Sequence, residues 1–185
     1  MYFIGLLVNG DNLRQIDRVY FLIMLINFAE SIVDSSLTQW VQGTYWLWPV
    51  MEIIHFIGLT LLFGGLITVD LRMAGFLRSI DPASTHKLLP IVVFGFGLNL
   101  LTGILFFYGD PMRYAVNIGF QIKLVLVIIA GLNAALYHWK VDPLLRTTDR
   151  NLPPPAVAKF VAFISLGAWT GVLVLGRLIP YVGTG

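Results

Sequence analysis

Glu52 and His55 stand three residues apart inside a long apolar segment of the chain. Three-residue spacing puts both side chains on one face of a helix. A carboxylate beside an imidazole can fix its tautomer and raise its basicity, as it does next to metal-bound histidines. Because ionisable groups are costly and rare inside a bilayer, each is a candidate functional residue. The pair therefore predicts a site for a proton, a metal ion or haem iron.

The depth of this pair follows from the residues before it. Trp46-Leu47-Trp48-Pro49 combines interfacial aromatic residues with a proline in the first helical turn. At a rise of about 1.5 Å per residue, His55 lies roughly 10 Å below Trp48, within the hydrocarbon.

The composition identifies the class of protein that must position these residues. The chain has 185 residues, of which 57% are hydrophobic and 12% are charged. Soluble domains carry about 25% charged residues, so the chain is predicted to be an integral membrane protein. A net charge of +2, without a basic patch, argues against nucleic acid as a partner. The absence of cysteine excludes disulfides, thiolate metal sites and iron–sulfur clusters.

Four apolar segments exceed the roughly 20 residues that a membrane-spanning helix needs. They are Leu47 to Leu71, Leu88 to Tyr108, Ala115 to Trp139 and Ala156 to Tyr181. The sequence therefore predicts an all-α fold, in which residues 47–185 form a four-helix transmembrane bundle.

Residues 1–46 are predicted to form a separate segment on the outer surface. Its apolar stretch, Val19 to Phe28, is too short to span and is followed by polar residues. This length favours an interfacial amphipathic or re-entrant helix, with a fifth span as the alternative.

The distribution of basic residues predicts the orientation. Lysines and arginines concentrate in the connections 72–87 and 140–159, whereas Arg113 is the only one in the turn between the second and third segments. The positive-inside rule places those two connections in the cytoplasm and both termini outside.

Several motifs carry a resemblance to a known family. Trp48-Pro49, Glu52-x-x-His55 and Asp70-Leu71-Arg72 are joined by Thr102-Gly103, Phe120-Gln121-Ile122-Lys123 and Gly131-Leu132-Asn133. Over residues 28–182 the chain resembles an uncharacterised family of small bacterial inner-membrane proteins. That family is similar to the membrane domain of the copper-resistance protein CopD and, more loosely, to four-helix cytochromes b. The resemblance implies the bacterial inner (plasma) membrane and a helical bundle able to hold haem.

The three histidines, His55, His86 and His138, are the candidate ligands for a metal or haem iron. A b-type haem in a bundle takes one or two axial ligands from facing helices at matched depth. His86 and His138 meet this condition near the cytoplasmic side. In the outer leaflet, His55 would bind haem alone, with Lys123, with a methionine or with another subunit. The alternative for each histidine is a structural role.

Four further residues are ionisable or charged near these histidines. Glu52 and Lys123 lie in the outer leaflet on different helices, so a buried ion pair is expected between them. Asp70 completes the predicted polar cluster of Glu52, Lys123 and Asp70. Arg72 could bind a haem propionate or a lipid phosphate, although anchoring at the cytoplasmic side is the simpler interpretation.

Small and polar residues in the apolar segments predict how the helices pack with one another and with other subunits. The Gly167-x-x-x-Gly171 pattern predicts a close helix contact and is compatible with a homodimer or a subunit of a membrane complex. Asn99 and Asn133 are expected to supply hydrogen bonds between helices.

Two hypotheses for function remain open. The first is a b-type haem protein that carries electrons within or across the membrane and meets a redox partner. The second is a cofactor-free accessory subunit, or a permeation module for a small ligand or metal, built on Glu52, His55 and Lys123. No motif of hydrolytic or phosphoryl-transfer chemistry is present.

Overall fold

The computed structural model describes residues 10–77, 79–147 and 152–182. Within these residues the regular structure is entirely helical, which confirms the predicted all-α class. The helices are α1 (Gly10–Ile32), α2 (Ser36–Gly43), α3 (Leu47–Ala74), α4 (Pro82–His86), α5 (Leu89–Gly109), α6 (Pro111–Val116), α7 (Ile118–Leu136), α8 (Asp142–Thr147) and α9 (Ala156–Leu178). A π-helical turn, Tyr137–Val141, joins α7 to α8, and a 3-10 turn, Ile179–Tyr181, follows α9.

Four helical stretches in the described part of the chain are long and apolar enough to cross a membrane: Leu47–Ala74, Ser84–Gly109, Ile118–Leu145 and Ala156–Tyr181. Most of their large apolar side chains point outward, for example Phe56 on α3, Phe94 on α5, Ile128 on α7 and Phe163 on α9. In water such surfaces would be unfavourable, whereas a bilayer solvates them. The chain is therefore a multi-pass membrane protein, as predicted.

Helices α3 and α5 run antiparallel and form the most extensive helix contact. Glycines set their separation, because a Cβ atom on Gly58 would lie 3.0 Å from the Gly95 carbonyl oxygen and 2.7 Å from the Asn99 amide nitrogen. A Cβ atom on Gly95 would lie 2.6 Å from the Leu62 backbone nitrogen. Small residues let transmembrane helix backbones approach closely. Side chains flanking the crossing are thereby brought into direct contact.

Helices α7 and α9 form a second antiparallel pair, and α9 also packs along α3. Asn133 on α7 donates a hydrogen bond from Nδ2 to the Val161 carbonyl at 3.0 Å, which confirms its predicted role between helices. Asn99 instead donates to the Gly95 carbonyl of its own helix, so its predicted interhelical hydrogen bond is wrong. Gly171 of the GxxxG pattern faces Leu126 within the chain, whereas a Cβ atom on Gly167 would have open space.

Asn117 fastens the start of α7 to the end of the helical bundle. Its side-chain oxygen accepts a hydrogen bond from the Phe120 backbone nitrogen, which caps α7. Its side-chain nitrogen donates to the Ile179 carbonyl at 2.9 Å and also to the Val182 carbonyl.

The N-terminal segment is more helical than the ten apolar residues predicted, because α1 continues through the polar residues before Val19. Its described apolar part, Val19–Ile32, meets α2 at an angle of 78°. Helix α1 packs on α6, and α2 packs on α5. If this bent pair counts as one span, the described part of the chain has five, so the interfacial and the fifth-span interpretations both stay open.

The bundle has two ends, named here by the residues that mark them. The Trp48 end contains the start of α3, the end of α5 and the start of α7, and is the predicted outer end. The Arg72 end contains the end of α3, the start of α5 and the π-helical turn, and is the predicted cytoplasmic end.

Candidate functional site

His55 occupies the α3–α5 interface near the Trp48 end, one helical turn before the Gly58 crossing. Its Nδ1 atom lies 2.7 Å from the Thr102 hydroxyl oxygen on α5. The ring of Phe106, one turn farther along α5, meets the imidazole edge-on, with ring centroids 5.5 Å apart. The side chain is half-buried, and the close crossing of the two helices holds its ring between them.

The hydrogen bonds of Thr102 favour one tautomer of His55. The fully buried Thr102 hydroxyl lies 2.7 Å from the Leu98 carbonyl oxygen of its own helix, to which it can donate its single proton. Toward His55 the same oxygen then acts as an acceptor, and Nδ1 carries the ring proton. In that tautomer Nε2 keeps its lone pair. This is the arrangement of metal-ligating histidines, which usually donate the other ring N–H to a protein acceptor.

Lys123 reaches the same region from α7. Its Nζ atom lies 3.2 Å from the position that a Cβ atom would take on Gly176 of α9, so this glycine makes room for the side chain. The ammonium is close enough to the His55 ring to interact with it electrostatically. Three of the four long helices therefore bring polar groups together here: His55 from α3, Thr102 from α5 and Lys123 from α7.

Glu52 is not paired with Lys123. Its side chain is exposed, and Oε1 accepts a hydrogen bond at 3.1 Å from the indole nitrogen of Trp48, one turn earlier on α3. Among the described residues no ion pair joins Glu52 to Lys123, so the expected buried pair is corrected. The physical reason is that Glu52 lies one turn from the interfacial Trp48 and can remain near water.

Tyr114 on α6 packs against an apolar cluster that includes Leu25 and Phe107, and it lies within the electrostatic range of Glu52. Burial raises the pKa of the Tyr114 phenol; the neighbouring Arg113 lowers it, while the charges of Asp110 and Glu52 raise it further. The electrostatic influence of Glu52 therefore extends to Tyr114, whose ring packs edge-on against Phe120 with centroids 5.3 Å apart.

At the Arg72 end, His86 and His138 occupy different settings. Nε2 of His86 lies 3.3 Å from Oδ1 of Asp142, which is buried at the start of α8. His138 belongs to the π-helical turn and is exposed. No hydrogen bond or ring contact joins the two histidines within the described residues. The structure thus places both near the same end, as predicted, without bringing their rings together.

Asp70 and Arg72 also lie at this end, each with its own partner. Asp70 is buried and has a hydrogen-bonding interaction with Ser165 on α9. Arg72 donates from Nε to the Ile80 carbonyl at 2.6 Å and so holds the turn that follows α3. This contact gives Arg72 a structural role in the turn, and both its anchoring at the cytoplasmic side and its binding of a propionate or lipid phosphate stay predictions. Asp70 does not join Glu52 and Lys123. Those two residues lie with His55 at the Trp48 end, and Asp70 lies about 22 Å from His55 along α3.

Several site residues were not singled out from the sequence as contacts. Thr102 was noted only as part of a motif, and Phe106 and Asp142 were not identified. Thr102 follows Gly95 by seven residues in an apolar helix, and this spacing alone does not indicate a contact with His55. Thr102 lies opposite His55 because Gly58 packs against Gly95, and the sequence does not show which helices cross.

Within the described ranges no three His, Cys, Asp or Glu side chains are grouped so as to hold a metal ion. Comparisons of the chain with protein-family models, with curated proteins and with solved structures find no match.

Proposed function

We propose that this protein is a b-type haem protein of the bacterial plasma membrane that carries electrons, with His55 as an axial ligand at the Trp48 end. The observation that carries this proposal is the hydrogen bond between His55 Nδ1 and Thr102. With Nδ1 donating, Nε2 is the free nitrogen, and an imidazole nitrogen is the axial ligand that haem proteins most often use.

The residues around His55 fit such a group. Thr102 fixes the orientation and tautomer of the ring, a contribution that outer partners make to ligating histidines generally. Lys123 offers a positive charge in the same region, suited to a carboxylate such as a propionate. Once bound, the haem would supply reversible one-electron transfer, while the protein tunes it through ligand, hydrogen bonds and burial.

The motif resemblance described from the sequence implies the same kind of protein and is part of this proposal. The concentration of lysine and arginine in the connections at the Arg72 end supports a cytoplasmic location for that end. On this orientation the His55 site would exchange electrons with a partner near the outer surface.

A second haem at the Arg72 end is less well supported. Nε2 of His86 already faces Asp142, and His138 is exposed on the π-helical turn. Electron transfer across the whole bilayer would need such a second site, whereas transfer within the outer leaflet would need only His55. Electron transfer across the bilayer would therefore require a site such as His138, whereas transfer within the outer leaflet would not.

A reduced-minus-oxidised visible spectrum of detergent-purified protein, with iron measured in the same sample, tests the proposal. We expect a sharp alpha band that His55→Ala abolishes. A band that survives in His55→Ala, in a protein that remains folded, contradicts His55 as the ligand. His138→Ala serves as the comparison: unchanged haem content indicates one site at the Trp48 end, and partial loss indicates a second.

The alternative is a cofactor-free subunit or permeation module. It is favoured by the position of Lys123, which is close to His55 and has no ion pair with a carboxylate in the described part of the chain. A flat spectrum and no bound iron, in protein from cells supplied with haem, would replace the haem proposal with this one.

A further inference from the structure

Asp70 stands out among the acidic residues of the described chain because it is only 2% exposed. Its neighbours Val69 and Met73 belong to an apolar cluster with Val161 and Ala162 of α9. The carboxyl oxygen Oδ2 is buried and has no hydrogen-bond partner. The Ser165 side chain is the polar group that interacts with the carboxyl.

None of the charged side chains described near Asp70 forms an ion pair with it. On its own helix, Arg72 binds the Ile80 carbonyl through Nε. On the neighbouring elements, His86 faces Asp142 and Lys140 is exposed. Lys159 lies on α9, nearly two turns before Ser165, and forms no ion pair with Asp70 within the described residues. Among the residues whose side chains the structure describes, no cation is paired with the Asp70 carboxyl.

A buried carboxylate without a counter-charge is strongly unfavourable, whereas its protonated form is neutral and loses much less on burial. A metal cation does not fit the same place. Calcium takes about six to eight oxygen ligands, and Asp70 with Ser165 offers two side-chain groups. In the described chain no further His, Cys, Asp or Glu joins them in a metal-binding group.

We propose that Asp70 is a proton-binding site, which holds a proton in the folded protein at neutral pH. It is separate from the His55 site, at the opposite end of α3, and does not depend on whether haem is bound there. Ser165 positions the carboxyl by hydrogen bonding to it, and the apolar residues of α3 and α9 keep other ligands out.

Infrared spectroscopy of the full-length protein in lipid vesicles tests this directly, because a protonated carboxyl has a carbonyl band distinct from that of a carboxylate. At neutral pH we expect such a band in the wild type, shifted in heavy water. Asp70→Asn should abolish it, since the amide is close in shape but carries no acidic proton. Asp34→Asn, at an exposed position, should leave it unchanged.

A second variant keeps the test decisive if Asp70→Asn does not fold. Ser165→Ala should retain the band and shift its frequency, because the hydrogen bond to the carboxyl is lost. Absence of the band from the wild type, or its persistence in folded Asp70→Asn, overturns the proposal. Loss of the band when sodium chloride replaces choline chloride would show that a cation occupies the site, and would overturn it as well.

Discussion

His55 and Asp70 lie about four turns apart on the same helix, and the helices that face them give the two side chains different chemistry. Opposite His55, α5 approaches through the Gly58–Gly95 crossing and presents the Thr102 hydroxyl to the ring. Opposite Asp70, α9 presents Val161, Ala162 and a single serine hydroxyl.

The two environments differ in which ligands can reach the side chain. The hydrogen bond to Thr102 satisfies one ring nitrogen of His55 and leaves the other with a lone pair, within the electrostatic range of Lys123. At Asp70 an apolar cluster excludes other groups, so that the smallest ligand, a proton, fits best. A close helix crossing thus leaves one residue with an available ring nitrogen, and a tight apolar contact isolates the other.

The largest effect is expected from closing the space at the crossing. Gly58→Ala puts a Cβ atom 3.0 Å from the Gly95 carbonyl oxygen and 2.9 Å from the Leu98 Cβ, and the backbone cannot move aside without separating α3 from α5. Overpacking of this kind costs about 1–3 kcal/mol. Thermal unfolding in detergent, followed by circular dichroism, should show a clearly lower midpoint.

Gly64→Ala on the same helix is the matched control, because nothing lies within 4 Å of its added Cβ atom. The control should unfold at or slightly above the wild-type temperature, since alanine is a better helix former than glycine. Equal destabilisation by both substitutions would mean that the crossing does not set the helix separation.

An intermediate effect is expected at Thr102. Thr102→Val keeps the shape of the side chain and removes the hydroxyl that accepts from His55, whereas Thr102→Ser keeps the hydroxyl. Hydrogen bonds between transmembrane helices contribute about 0.6 kcal/mol on average. The unfolding midpoint should therefore fall modestly in the valine variant and less in the serine variant.

The same two variants sharpen the assignment of His55. If the ring ligates haem, Thr102→Val should shift the reduction potential and Thr102→Ser should largely restore it, because the partner of Nδ1 tunes the ligand. Identical potentials in wild type and Thr102→Val would separate the hydrogen bond from any ligand role.

The smallest effect concerns the charge of Glu52. Burial raises the pKa of the Tyr114 phenol above its ordinary value of about 10, and the Glu52 carboxylate adds to this. Glu52→Gln removes a negative charge, which favours the phenolate, so the Tyr114 pKa should move down. Near-ultraviolet titration of phenolate absorbance, taken as the difference from Tyr114→Phe, measures it.

An unchanged Tyr114 pKa in Glu52→Gln would show that the carboxylate is screened by water. It would then act only on Trp48, to which it is hydrogen-bonded. Asp110→Asn is the control, because the charge of Asp110 also raises the Tyr114 pKa. A lower Tyr114 pKa in this variant would show that the titration detects the loss of a neighbouring charge.

The membrane class and the four long helices could be predicted from the sequence because each apolar segment is long enough to span by itself. The depth of Glu52 and Lys123 in the outer leaflet stays a prediction, which rests on residue count along each helix. Their pairing was wrong because depth does not specify the direction in which a side chain points. Glu52 turns toward Trp48, and Lys123 turns toward Gly176 and His55.

The partner of His55 was beyond prediction for a related reason. Neither Gly58 nor Gly95 indicates by itself which helix it faces, and only their pairing places Thr102 opposite His55. The long α1 was missed because polar residues before Val19 interrupt the apolar pattern without ending the helix.

Asn117 links two segments of the chain that the ribosome makes at different times. The carbonyls of Ile179 and Val182 that it binds are synthesised more than sixty residues after it, and both come from beyond the end of α9. The α3–α5 hairpin can close as soon as its two helices have entered the bilayer. By contrast, the amide of Asn117 meets these carbonyls only after α9 has been made and inserted, so the contact that fastens the start of α7 forms later than the α3–α5 hairpin.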